Sequence, residues 1–264
     1  MNSSETIGGI TMISIPGGSF MMGHVYKYDP SLPDTVNAYY PDEQPVHRVT
    51  LKPLQMGRTP VTQGQYMGIA GINPSTFKGD DNLPVTNIGP SEIITFCNKA
   101  SLAAGLEPCY NEKTRECDFT KSGFRMPTEA EWEYSCRAGT ITLFYSGNTE
   151  KDLARAGWYI GNSGGRTHPV AQKEPNAWGL YDMHGNVFEY CNDDWIPAMC
   201  FGKYLLEHEQ VPTFHYYHSL NMTRGGSWFS EPSVCRSAAR SCFCSWADIN
   251  QSWYMGFRVA RSLK

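Results

Sequence analysis

The sequence has no surplus of basic charge. Twenty-two Lys and Arg stand against 26 Asp and Glu, for a net charge of −4. That excludes the broad cationic surface on which nucleic-acid binding rests. No apolar run approaches the roughly 20 residues of a membrane-spanning helix. The first residues, MNSSETIGGI, contain neither a basic nor an apolar segment of the signal-peptide kind, which leaves open a leader removed earlier. Cysteine is present but unpatterned: nine residues, an odd number, at Cys97, Cys109, Cys117, Cys136, Cys191, Cys200, Cys235, Cys242 and Cys244. A complete disulfide framework is therefore not expected, and most of these are read as buried thiols. Charged residues reach only 18%, and 41% are hydrophobic. Such a chain holds enough apolar material for a core, so disorder is excluded. Internal repeats, low-complexity stretches and Pro/Ser linkers are also missing. The expectation is one α+β domain over residues 1–264.

What is abundant is turn-forming and aromatic. There are 25 Gly, 17 Pro, seven Trp and 15 Tyr. A chain of this kind is rich in loops held by large rings, and it suits neither a helical bundle nor a doubly wound sheet. Strands are expected at Ile10–Ile15, near Phe20, through HRVTLKPLQMG, and at Phe257 and Val259. Residues 26–44, rich in Pro, Asp and Tyr, read as a long loop. Three helices are expected. One follows Pro60, capped by Thr59 or Thr62 and ended by Gly71. One follows Ser91, with Ile93, Ile94, Cys97 and Ala100 at helical spacing, and ends near Gly105. One begins at the Thr128–Glu131 capping box and closes at Gly139. Beyond Thr140 helical period disappears.

Five ordered segments carry a resemblance. They are FMMG (Phe20–Gly23), EQPVHRVTL (Glu43–Leu51), RMPTEAEWEY (Arg125–Tyr134), GLYDMHGNVFEY (Gly179–Tyr190) and RGGSW…GFR (Arg224–Arg258). The chain resembles the formylglycine-generating-enzyme (sulfatase-modifying factor) family along nearly its whole length. That resemblance implies an irregular variant of the C-type lectin fold. The family's oxidases carry two copper-binding thiolates after the GGS-aromatic motif. By that resemblance the two positions fall on Ser230 and Cys235. A hydroxyl cannot replace a thiolate as a soft copper ligand. The family's iron-dependent sulfoxide synthases carry a His-rich helical domain ahead of this one. The seven His here are dispersed, which also disfavours that branch.

The tail is more specific. RGGSWFSEPSVCRSAARSCFCSWADINQSWYMGFRV is similar to the variable region of retroelement-diversified target proteins, of the Treponema variable-protein type. That resemblance implies a constant scaffold: Arg224, Gly225, Gly226, Trp228, Cys235, Arg236, Arg240, Gly256, Phe257 and Arg258. Between these lie residues with no folding period: Phe229, Ser230, Glu231, Ser233, Val234, Ala239, Ser241, Cys242, Phe243, Cys244, Trp246, Asp248, Ile249, Asn250, Ser252, Trp253 and Tyr254. Most are reachable from an Asn codon by changing adenines alone; Glu231, Trp246 and Trp253 are not. As a variable surface they would be largely solvent-exposed, like an antibody's loops. The implied function is a binding protein for another protein or a cell-surface molecule, without catalysis. The alternative is a copper- or iron-dependent thiol oxidase with an altered site. Display at the bacterial surface or secretion is implied, with the cytoplasm not excluded.

No cofactor is required for such binding. Within GLYDMHGNVFEY, the carboxylates of Asp182 and Glu189 and the carbonyls of Gly185 and Val187 have the hard-oxygen character that suits Ca²⁺. The other reading pairs those carboxylates with Arg side chains and loop N–H groups. His184 reads as a loop histidine bonded to backbone. Glu129, Glu131 and Glu133 read as capping and surface residues.

Overall fold

The computed structural model describes residues 3–24, 41–194, 220–244 and 249–263, and the backbone alone at 41, 220, 243–244 and 249–251. A two-glycine turn starts the fold. Gly8 and Gly9 have φ of 55° and 79°, the doubly positive pair that a tight hairpin needs. It joins β1 (Ser4–Ile7) to β2 (Ile10–Ile15), which pairs with β5 (Leu54–Gly57), and β5 pairs with β10 (Ala260–Ser262). The two ends of the chain therefore share one antiparallel sheet.

Strand β2 is covered on both faces. Ile10 and Met12 enter one core with Tyr66, Ile93, Phe96 and Phe257, while Ile13 and Ile15 enter another with Trp132, Leu180, Met183 and Met222. That is why ITMISI lacks a polar alternation. The run His47–Gly57 is two strands, not one. β4 (His47–Leu51) pairs with β3 (Gly18–Met22), and the chain changes sheets at Lys52-Pro53 before β5. Proline has no N–H to continue a ladder. A second four-stranded sheet has the order β8 (Arg240–Cys244), β7 (Leu220–Arg224), β6 (Phe188–Asp194) and β9 (Met255–Gly256), the last parallel to β6. The expected terminal strand through Phe257 and Val259 thus divides into β9 and β10. Phe257, Arg258 and Val259 cross between the two sheets, fully buried.

The helices are α1 (Gln63–Ala70), α2 (Pro90–Ala103), α3 (Glu129–Arg137) and α4 (Glu150–Ala156). Thr62 with Gln65 and Thr128 with Glu131 form reciprocal capping boxes. Helix α2 begins one residue before Ser91, with Pro90 at its first position. Helix α4 lies in the stretch read as non-helical and carries its own box, Thr149 with Asp152. It has only seven residues and buries two, Leu153 and Ala156, too few to show a period. Of the long loop expected at 26–44, residues 41–43 form a 3₁₀ turn and the remainder up to 40 lies outside the described residues. No described helix is long and apolar enough to cross a membrane.

Candidate binding surface

The C-terminal segment is fastened by arginines. Arg258 is fully buried and donates to both oxygens of Glu189, at 2.6 Å each, and to the carbonyls of Gly57 and Tyr181. Arg236 grips Glu43 at 2.7 and 3.1 Å. Arg240 grips Glu129 at 2.6 and 2.9 Å. Arg224 contacts Glu133, lies 3.3 Å from Glu129, and donates to the carbonyl of Ala239. Paired forks of this kind fix direction as well as distance. They also correct the reading of helix α3. Glu129, Glu131 and Glu133 are buried ion-pair partners rather than surface acids. Burial by itself would raise Glu133; Arg137, Arg224 and the Gly23 N–H hold it below the usual carboxylate range.

Gly226 sits at φ 72°, and a Cβ there would come within 2.6 Å of the Cys235 sulfur. This close approach seats the RGGSW turn on the 3₁₀ turn Pro232–Cys235. His184 clamps the same place. Its Nδ1 meets the Cys235 carbonyl at 2.7 Å, and Nε2 accepts from the Tyr145 N–H at 3.0 Å. An imidazole accepting a backbone N–H is neutral, and burial pushes its pKa down to about 3. The Cys235 thiol is fully buried beside Phe144, Leu153 and Tyr159, and burial raises its pKa.

On this scaffold the residues expected at the surface divide. Phe229 is 55% exposed, Glu231 and Cys242 are exposed, and Val234, Ser241, Trp253 and Tyr254 are half-buried. Ser230, Ser233, Ala239 and Ser252 are buried, which corrects their placement on a free surface. Ser230 explains why: its hydroxyl accepts from the Ser227 N–H at 2.9 Å and meets the Ser227 hydroxyl at 3.0 Å. Trp246 and Asp248 lie outside the described residues. The side chains of Phe243, Cys244, Ile249 and Asn250 also lie outside them.

Exposed Phe229 belongs to a band of aromatics that includes buried Trp228 and half-buried Trp253 and Tyr254. Trp228 lies 5.6 Å from Phe229 and 4.9 Å from Trp253, Phe229 lies 5.9 Å from Trp253, and Trp253 lies 5.4 Å from Tyr254. Phe77 and Phe188 extend it at either end, 5.6 Å from Trp228 and 6.0 Å from Tyr254. Arg166 stands 5.6 Å over Phe77. Phe77, Phe188 and Arg166 escaped the sequence reading because each lies far along the chain from the C-terminal segment; Phe77 and Arg166 fall outside any motif, and the motif that holds Phe188 was read for its carboxylates.

The calcium expectation does not fit. Both oxygens of Glu189 are taken by Arg258, and Oε2 also accepts from Trp132 Nε1 at 2.7 Å. Asp182 accepts from the Ala171 N–H at 2.8 Å and from Asn186, and the Gly185 carbonyl accepts from the Val187 N–H. A divalent cation here would have to displace a buried guanidinium. Among the described residues no group of three or more His, Cys, Asp or Glu side chains is placed to hold a metal.

Asp182 gives a pH test. Burial pushes its pKa up to about 6, against the Ala171 N–H and Arg258. The unfolded value is near 3.9, so the folded state holds the proton more tightly. The buried charge therefore costs stability above about pH 6, and the cost vanishes as the pH falls toward 4. Asp182→Asn carries no such charge. Its stability relative to wild type is expected to be greatest at pH 8 and to fall by roughly 3 kcal/mol by pH 4. Urea midpoints at the two pH values measure this, and a pH-independent difference would refute it.

Three irregular sheets and four short helices among the described residues, joined by long buried crossings, define a protein of the C-type-lectin-like α+β class. The chain belongs to the sulfatase-modifying factor enzyme 1-like domain family, whose model matches residues 2–263. Its structure is similar to Treponema denticola variable protein 1, with a TM-score of 0.80, 30% identity and 99% of both chains covered. In sequence it is 28% identical to the chaperone protein LppX of Paenibacillus barcinonensis, over 85% of each chain. It is 26% identical to the formylglycine-generating enzyme of Mycobacterium tuberculosis, over 87% of this chain and 91% of that one.

Proposed function

We propose that this protein binds a macromolecular ligand, another protein or a cell-surface molecule, through the aromatic band around Phe229 and Trp253. Its C-terminal segment is a retroelement-diversified surface, displayed outside the cell. The carrying observation is the contrast between adjacent residues: Phe229 is exposed, while Ser230 beside it is buried and bonded to Ser227. A rigid frame with exposed rings gives contact area at little entropic cost. The full-length likeness to the Treponema denticola variable protein supports the same reading.

Thiol oxidation has less support. Ser230 stands where the resemblance puts the first thiolate, and its hydroxyl is committed to Ser227. Cys235 stands at the second position, sealed in an apolar cluster without solvent access.

A library randomised at Phe229, Glu231, Val234, Cys242 and Trp253, displayed on phage and panned against lysozyme, tests the proposal. Most members should fold, and selected binders should lose at least about 2 kcal/mol of affinity when their residue 229 or 253 is cut to Ala. A library in which most members fail to fold, or binders insensitive at both positions, would sink it. A second genomic copy of the segment, differing from it only at adenines, is the expected trace of diversification.

A further inference from the structure

Beside β1, β2 and the end of β5 lies a cleft of about 510 Å³ that shares no residue with the aromatic band. Ser4, Ile13, Arg58, Pro175, Trp178 and Tyr181 line it. Its size falls within the roughly 300–1,000 Å³ of small-ligand sites.

The walls are held by the main chain. The Arg58 N–H donates to the Thr11 carbonyl, and its own carbonyl accepts from the Tyr181 N–H, both at 2.9 Å. Buried Asn176 fastens the turn that carries Trp178. Its Oδ1 accepts from the N–H groups of Trp178 and Leu180, and its Nδ2 donates to the carbonyls of Ser135 and Cys136. The Trp178 ring packs edge-on against Tyr134 at 4.9 Å. Neither aromatic wall needs to move to receive a ligand, which lowers the entropic cost of binding.

The chemistry of the lining has one sign. Arg58 stands 4.7 Å over the Tyr181 ring and donates to its hydroxyl at 3.1 Å. Among the described residues no carboxylate lies within ion-pairing distance of it, in contrast to Arg125, Arg224, Arg236, Arg240 and Arg258. Among the described residues no acid lines the cleft. A solvated surface arginine alone would mark nothing. Here a cation without a carboxylate partner and two fixed ring faces converge on one concavity.

We infer that this cleft binds a small organic anion, a carboxylate borne on an aromatic or pyranose ring. The ring lies against Trp178 and Tyr181, and the carboxylate takes the open edge of the Arg58 guanidinium. This site is independent of the diversified surface and would be constant between variants.

Ligand-observed NMR titration of the full chain tests it with two acid–neutral pairs: benzoate with benzyl alcohol, and glucuronate with glucose. At least one acid should bind saturably in the millimolar range, and at least tenfold more tightly than its neutral counterpart. Which acid binds tells an aromatic ligand from a saccharide. Arg58→Gln should weaken that acid about tenfold. Among the described residues the Arg58 side chain makes one hydrogen bond, to Tyr181, so the variant should keep its near-ultraviolet dichroism. Trp178→Phe keeps a ring against Tyr134 and should weaken the acid and its neutral counterpart alike. Saturation by neither acid, or equal binding by wild type and Arg58→Gln, would overturn the inference.

Discussion

Arg258→Met is expected to destabilise the protein by about 3–5 kcal/mol. Removing the guanidinium leaves Glu189 buried with Trp132 Nε1 as its remaining donor. It also orphans the carbonyls of Gly57 and Tyr181. A domain of this size is stable by roughly 5–15 kcal/mol in all, so the variant should accumulate in inclusion bodies or unfold at low urea. The double variant Arg258→Met, Glu189→Gln should recover a substantial part of the loss. The uncompensated charge is gone, and the amide oxygen still accepts from Trp132. Tryptophan fluorescence in urea measures both. A double variant no more stable than the single one would show that the loss lies in packing rather than charge.

The second large effect separates two neighbours. Phe229→Ser should change stability by less than about 0.5 kcal/mol, because the ring is more than half in water and the buried ring beside it, Trp228, is also packed by Phe77 and Trp253. Ser230→Phe should cost about 3 kcal/mol or more. The Ser227 N–H loses its acceptor, worth about 1–3 kcal/mol, and a ring must be forced into a filled site at about 1–3 kcal/mol more. Thermal midpoints of the two single variants decide the matter. Comparable losses at both positions would mean that the segment is ordinary core and not a display surface.

Local signals were legible in the sequence and distant ones were not. The Thr128–Glu131 box and the Thr62–Gly71 boundaries lie within one or two helical turns, so four to ten residues contain the whole cause. The C-type-lectin-like fold was carried by five ordered motifs. The roles of Glu43 and Glu129 were hidden because their arginines lie 193 and 111 residues further on; Glu133 has Arg137 four residues away, but its second arginine, Arg224, lies 91 residues on. An acid on an amphipathic helix with no visible partner reads as solvated. The absence of a folding period in the tail singled out the segment that the resemblance reads as variable. It could not tell Phe229 from Ser230, because the difference is a hydrogen bond to Ser227 in a turn of three residues. The band's ends at Phe77 and Phe188 came from packing alone.

The arginine clamps also impose an order on synthesis. Glu43, Glu129, Glu133 and Glu189 leave the ribosome before Arg224, Arg236, Arg240 and Arg258, and β10 must arrive last to complete the sheet that β1 began. A nascent chain stopped short of residue 224 therefore carries acids destined for the interior with those counter-ions still unmade. The segment proposed to vary at its surface is the one that brings the counter-ions of these buried acids. A frameshift or stop codon introduced there would yield a polypeptide that quality-control proteases can recognise, rather than a folded protein with a blunt face.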